Sequence, residues 1–210
     1  MFGWKGAKRQ KTYRAPDGAE GGNGTKTGVM SGLVSVTKVA TALGWRDVNS
    51  LQEGDMVLTF DAGLQPVKRI SRTPLWSGAG SCPTAFWPLL VPAGVLDNEA
   101  AMILLPRQGV LLESDAAEKT LGDPFALILA GTLDGALGIE RVFPQDDMTV
   151  VTLHFDSAQV VFAEQGALLF CPAGGDLLDY ASGKAQGQGP YSILPELFAA
   201  QLVQDGYAYA

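Results

Sequence analysis

From residue 33 onward, apolar residues either alternate with polar ones or gather in short runs, and turn-forming residues separate the runs. Leu33, Val34, Val36, Val39 and Ala40 make the first run, which breaks at Leu43–Gly44. Trp45-Arg46-Asp47-Val48 alternates and leads to Leu51. Gln52-Glu53-Gly54-Asp55 reads as a turn before a strand over Met56-Val57-Leu58-Thr59-Phe60, and Asp61-Ala62-Gly63 reads as a second turn. Residues 65–70 are expected to run back as the hairpin partner. Pro66 has no N–H to give a ladder, so it should begin that strand or lie on an edge. Further runs cover residues 85–91, 102–105, 110–113, 125–130, 139–143, 149–155, 160–163 and 168–170. Their spacing of roughly eight to fifteen residues, with Gly, Pro or Asp between them, predicts an all-β architecture.

Helical periodicity surfaces in two places. Ser114-Asp115 followed by Ala-Ala-Glu-Lys predicts a short capped helix over residues 114–120. Pro195 near the start of residues 194–203, with Leu197, Phe198 and Leu202 expected on one face, predicts a helix near the C-terminus. An internal echo accompanies the strands. Gly63 to Ile70 and Gly135 to Val142 each read as a glycine, a short turn and a branched-x-Arg-branched strand. The echo fits a domain built from two related halves.

Composition narrows this picture. Hydrophobic residues are 47% of the 210 and charged residues 18%, enough for a packed core. No run approaches the roughly 18 apolar residues of a membrane-spanning helix. The 26 glycines and 12 prolines favour many turns over long helices. A net charge of −7, spread without blocks, argues against nucleic acid, where affinity rests on neutralising phosphates. Cys82 and Cys171 are each followed by proline and are expected as buried free thiols, with a disulfide as the alternative. Two thiols and the single His154 do not read as a zinc site.

Residues 1–29 carry Lys5, Lys8, Arg9, Lys11 and Arg14, but no apolar stretch follows, so they do not read as a secretory signal. Their small, polar, glycine-rich remainder cannot bury enough surface to offset ordering entropy. A tail with few internal contacts is expected there. A cytoplasmic location is favoured, with signal-peptide-independent secretion as the alternative.

The block Thr37-Lys38-Val39-Ala40-Thr41, then Trp45-Arg46-Asp47-Val48, then Leu51-Gln52-Glu53-Gly54-Asp55-Met56-Val57-Leu58-Thr59 resembles the opening of Hint (hedgehog/intein) domains. That family's Val-x-x-Leu-x-x-Gly-Asp-x-Val-Leu signature stands complete, with Val48, Leu51, Gly54, Asp55 and Val57 at its fixed positions. Asp61 to Val67 resembles the next hairpin of the bacterial hedgehog-type branch. Leu105 to Leu112, Leu153 to Asp156 and Val160 to Ala163 resemble later blocks in the same order. The resemblance covers roughly residues 33–172 and implies a Hint-type pseudo-twofold β-fold with short helices. It divides the chain into a basic, glycine-rich tail (1–29), a Hint-like β-domain (30–180) and a C-terminal extension with a short helix (181–210). Without the family, Gly54-Asp55 reads as a tight turn, glycine supplying φ > 0 and aspartate bonding nearby amides.

Hint domains, by this resemblance, cleave the peptide bond just before themselves. A Cys or Ser attacks the preceding carbonyl, and a histidine protonates the departing nitrogen. Such an acid is worth about 10²–10⁴-fold. The family's spacing, counted back from Thr37, places the nucleophile at Gly32, which has no side chain. Ser31 and Ser35 are the nearby hydroxyls, each needing a shift of register. The histidine position of the later block holds Gln108, which hydrogen-bonds but gives up no proton at neutral pH. His154 lies in an apolar alternating strand, where a satisfied structural histidine is the plainer reading. No His-Asn pair precedes Cys171, so cyclisation of the splicing kind is not expected.

No catalytic residues are therefore expected, and no cofactor. The leading reading is a non-catalytic Hint-fold scaffold or interaction module, binding a protein partner or itself. The alternative is residual self-cleavage by an N–O acyl shift at Ser31 or Ser35, releasing the tail. A hydrolase built on Glu113, Asp115, Glu118 and Asp123 is a third reading, against which Asp115 reads as a helix cap and the others as solvated. A generic all-β module is the alternative at the level of fold.

Overall fold

A computed structural model of the chain describes residues 28–145, 147–173 and 191–207. In chain order the strands are β1 Leu33–Val34, β2 Lys38–Thr41, β3 Gly44–Asp47, β4 Met56–Thr59, β5 Gly63–Pro66, β6 Arg69–Pro74 and β7 Leu89–Val91. They continue as β8 Met102–Leu104, β9 Gly109–Glu113, β10 Phe125–Leu129, β11 Glu140–Arg141, β12 Thr149–His154, β13 Gln159–Ala163 and β14 Ala167–Cys171. The helices are α1 Asp115–Leu121 and α2 Glu196–Tyr207.

The strands form two antiparallel sheets. One has the order β11-β7-β8-β1-β12-β6; the other runs β10-β9-β14-β13-β2-β4-β5, with β3 added beside β2. The main core lies between them, joining Leu33, Val151 and Leu153 of the first sheet to Val39, Val57, Val110 and Val161 of the second. Neighbouring residues of β9, β10, β13 and β14 are buried on opposite faces. Val110, Ile128, Val161 and Leu169 enter the main core, while Leu111, Leu127, Val160 and Phe170 enter a second cluster behind the sheet. These runs read as continuous apolar stretches because both faces are covered. Each fully buried side chain of this size contributes about 1.5–3 kcal/mol.

Several elements depart from the sequence pattern for identifiable reasons. The first apolar run is two strands, because Thr37 N–H returns to Val34 C=O (2.8 Å) and turns the chain from one sheet to the other. Val36 at this corner is 69% exposed. The partner of β4 is β5, residues 63–66 rather than 65–70: Gly63 (φ +64°) closes the turn opposite Thr59. Val67 then bonds back to Gly54 and Asp55, and the chain leaves to enter the other sheet as β6. Pro66 lies on the edge strand, as its missing donor requires, but ends it rather than begins it. Residues 84–86 form a 3-10 turn between prolines 83 and 88, so only Leu89–Val91 remain extended. Ile139 is buried but spends its N–H on Ala136 C=O, leaving Glu140–Arg141 as the paired segment.

Ser114, not Asp115, caps α1, accepting from Ala117 N–H, and Gly122 (φ +75°) ends it. In α2 the inward residues are Ala199, Leu202 and Val203 with Phe198 half-buried; Leu197 points to solvent at 89% exposure. The echo between residues 63–70 and 135–142 has a counterpart in space. Its strands, β6 and β11, are the two outer strands of the six-stranded sheet, positions that exchanging the sheet's halves would interchange. Val67 and Ile139, matched in the echo, are each 1% exposed.

The expected tail falls on residues outside those described, except 28 and 29. Gly28 bridges Trp76, and Val29 N–H donates to Leu75 C=O (2.9 Å). Of the expected C-terminal extension, residues 181–190 and 208–210 also lie outside the described residues. No described helix is long and apolar enough to cross a membrane.

Candidate functional site

Where β1 and β12 of the first sheet approach β9 and β14 of the second, a cleft of about 20 Å³ opens, lined by Ser31, Gly32, Gln108, Thr152 and Cys171 among others. That is room for one water molecule. Gln108 lies at the inner end of it, 2% exposed, with every polar atom of its amide engaged. Its Oε1 accepts from Gly32 N–H (3.0 Å), and its Nε2 donates to Phe170 C=O (2.8 Å) and Gly109 C=O (3.0 Å). The amide thus pins β1 to the β9–β14 pair. This use of both ends fixes the orientation of the side chain: an acceptor faces Gly32 and a donor faces the carbonyls.

Gly32 has φ +116°, a conformation L side chains rarely adopt. A Cβ built there would lie 2.6 Å from Val150 Cγ1, 3.2 Å from Val151 O and 3.3 Å from Thr152 Oγ1. The space in which a side chain at residue 32 would begin is filled by β12. Just upstream, Arg107 N–H donates to Met30 C=O (2.8 Å), so the carbonyl preceding Ser31 carries a hydrogen-bond donor. Ser31 is half-buried on the cleft wall. Ser35 lies apart from it, beyond β1, with its N–H bound to Thr149 C=O (2.9 Å) and the carbonyl before it tied into the corner turn.

Cys171, at the end of β14, is a free thiol on the same cleft, and burial pushes its pKa up to about 12. At neutral pH it is a thiol and not a nucleophilic thiolate. Cys82 is also free, half-buried, with its thiol pushed up by burial.

His154 shares the face of β12 that carries Val150 and Thr152, one pleat repeat past Thr152. Its ring is turned to β6 instead of the cleft. Nε2 lies 3.1 Å from Ser71 Oγ and Nδ1 3.5 Å from Arg69 Nη2. Burial, then the Arg69 charge, hold its pKa below the ordinary value. With a guanidinium at Nδ1, that nitrogen accepts and Nε2–H donates to Ser71, the reverse of what a base activating the serine needs.

The signature residues form a separate structural unit. Val48, Leu51 and Val57 are buried in the main core. Gly54 (φ +90°) turns the chain, its N–H donating to Val67 C=O (2.7 Å). Asp55 Oδ2 accepts from Gln52 N–H (2.9 Å) and pairs with Arg46 Nη1 (3.0 Å). The four carboxylates near α1 do not converge. Asp123 accepts from Phe125 N–H, Asp115 and Glu118 lie in the first turn of α1, and Glu113 borders a cavity. Sequence reasoning missed Val150, whose methyl occupies the space beside Gly32, and the Arg107 amide, since neither carries a chemical signature of its own.

A family model described as the Hint domain matches residues 32–168. Similar solved structures include the gp41-1 intein (14% identity, covering 67% of this chain and 97% of that one, TM-score 0.41). An intein-like bacterial domain from Clostridium thermocellum (14%, 68% and 99%, 0.48) and the MchDnaB-1 intein (16%, 67% and 99%, 0.44) are also similar. No curated protein matches the chain.

Proposed function

The chain belongs to the Hint-domain family, and from that premise we propose that it is a Hint domain, of the bacterial hedgehog-type branch, that has lost self-cleavage and serves as a scaffold or interaction module. One observation carries the reading: Gly32, the residue that the family's spacing sets at the nucleophile position, has a left-handed conformation, and the space for a side chain is taken by Val150. The second missing part supports it. Gln108 replaces the acid with an amide committed to three backbone partners. Losing nucleophile and acid together removes groups that act as a unit. The interaction half of the reading is supported by an outward row across the second sheet, Trp45, Leu58 and Leu64, which are 40%, 37% and 42% exposed. Register places these three beside one another through Ala40.

The test is the intact mass of freshly purified full-length chain, before and after incubation with dithiothreitol. A single unchanged mass is expected. A species cut on either side of Ser31 overturns the reading.

A second reading has its own observation, the Arg107 amide on the Met30 carbonyl. In it, Ser31 Oγ attacks Met30 C=O, the Met30–Ser31 C–N bond breaks, and the nitrogen takes up the hydroxyl's proton. The ester so formed would then be cut by an added thiol or by water. Arg107 N–H would stabilise the oxyanion. Ser31→Ala separates the readings: any cleavage seen in the parent chain and lost in this variant belongs to Ser31.

A further inference from the structure

β9 and β14 carry a second hollow, at the ends opposite the Gly32–Gln108 cleft. It encloses about 140 Å³. Leu111, Leu168, Phe60 and Phe125 form its apolar wall, all belonging to the cluster behind the sheet. The two phenylalanine rings meet edge to face with centroids 5.0 Å apart. Asp97 and Glu113 stand on the rim, from separate elements: the loop after β7 and the last residue of β9.

The hollow is held in shape by its own backbone. Asn98, 1% exposed, accepts from Leu96 N–H (2.9 Å) and donates to Pro92 C=O (2.9 Å) and Ala100 C=O (2.8 Å). Asp97 is thereby fixed in the left-handed region (φ +57°), and Gly166 packs so closely that a Cβ there would strike the Asp97 carbonyl. Neither rim carboxylate has a lysine or arginine partner among the described residues. A preformed apolar wall with two unpaired anions on its rim matches one kind of ligand, an apolar stem ending in a positive charge. Two carboxylates repel an anion, and an uncharged apolar molecule would leave them unused. No group of three or more metal-ligating side chains gathers among the described residues, and the apolar wall beside the carboxylates suits an organic cation.

We propose that this hollow binds a small organic monocation, an alkylammonium whose chain lies against Phe60 and Phe125 and whose head sits between Asp97 and Glu113. The volume is well under the roughly 300–1,000 Å³ of pockets for drug-sized ligands, so the ligand has only a few heavy atoms. This site is independent of the cleavage question.

The experiment is an NMR titration of the ¹⁵N-labelled full-length chain with n-pentylammonium chloride, and with n-pentanol as the neutral isostere. Saturable shifts are expected at the amides of Asp97, Leu112, Glu113 and Gly166. Each exposed carboxylate is worth about threefold in affinity, so pentanol should bind about tenfold more weakly. Asp97→Asn, which keeps a residue tolerant of φ > 0, and Glu113→Gln should each weaken the amine about threefold and leave pentanol unaffected. Unchanged spectra away from the hollow certify the fold of each variant. The absence of saturable shifts at these amides, equal affinity for pentanol, or an unaltered amine affinity in both variants overturns the proposal.

Discussion

Residues 48–57 and the junction around Gly32 both hold their backbone by buried contacts, and they do so by opposite means. In the first, every fixed side chain is used. Val48, Leu51 and Val57 fill the core, and Asp55 ties the turn to Gln52 and Arg46. In the second, the structure uses a side chain's absence: β12 occupies the space beside Gly32, and a neutral amide satisfies the groups around it. Ordinary packing thus holds both regions, one through its side chains and the other through close backbone approach. Filling the space beside Gly32 and satisfying its N–H are both stabilising.

The sharpest way to break this contrast is to put a side chain back. Gly32→Ala combines a φ penalty of about 1–3 kcal/mol with overpacking of similar size, so a loss of about 4 kcal/mol is expected in chemical denaturation. Gly32→Cys should lose as much and show no thiol-dependent cleavage by mass spectrometry. A well-folded, self-cleaving Gly32→Cys would mean that the junction adapts and only the nucleophile was missing. On the framework side, Leu51→Ala empties a fully buried position and should cost about 3 kcal/mol by the same measurement.

Gln108→Leu comes next. It keeps the volume but leaves Gly32 N–H and Phe170 C=O without the amide, for an expected loss of about 2 kcal/mol and faster hydrogen exchange at Gly32. If Gln108 were a mere filler, exchange at Gly32 would not change. Asp55→Ala removes bonds that are partly solvated, so about 1 kcal/mol is expected. A larger loss at Asp55 than at Gln108 would invert the comparison.

The sequence made the signature legible because its residues speak through period and turn chemistry: branched residues at core spacing, and glycine before aspartate at a tight turn. Counted spacing singled out Gly32 and Gln108, and the fold brings these two within hydrogen-bonding distance. What it hid were features without a local pattern. The corner at Val36 interrupts an apolar run that looks continuous, because one backbone bond from Thr37 turns it. The β4–β5 hairpin is displaced from residues 65–70 because Val67 is claimed by the Gly54-Asp55 turn, twelve or more residues earlier in the chain. Val150's contact with Gly32 joins positions more than a hundred residues apart, and nothing local announces it.

The smallest expected effect concerns His154, which lies on the same face of β12 as the groups crowding Gly32 but was turned toward β6. Its surroundings are Arg69 and Ser71 on β6, with Lys68 N–H bonded to its carbonyl (2.8 Å). Burial, and then Arg69, favour the neutral ring in the folded chain. In the unfolded chain the ring takes up a proton near its ordinary value of 6.5. As pH falls through that value the unfolded state gains a proton that the folded state refuses, so stability declines below about pH 6.5 and the decline stops once the folded ring charges in place. Thermal melts of the parent chain and of His154→Gln, compared between about pH 7.5 and pH 5, isolate this contribution from carboxylates that titrate lower. The parent should lose more stability than the variant over that window. Parallel curves would show that the folded ring titrates as an ordinary histidine. A parent that gains stability on acidification would require an anion beside the ring, and the contacts to Arg69 and Ser71 supply none.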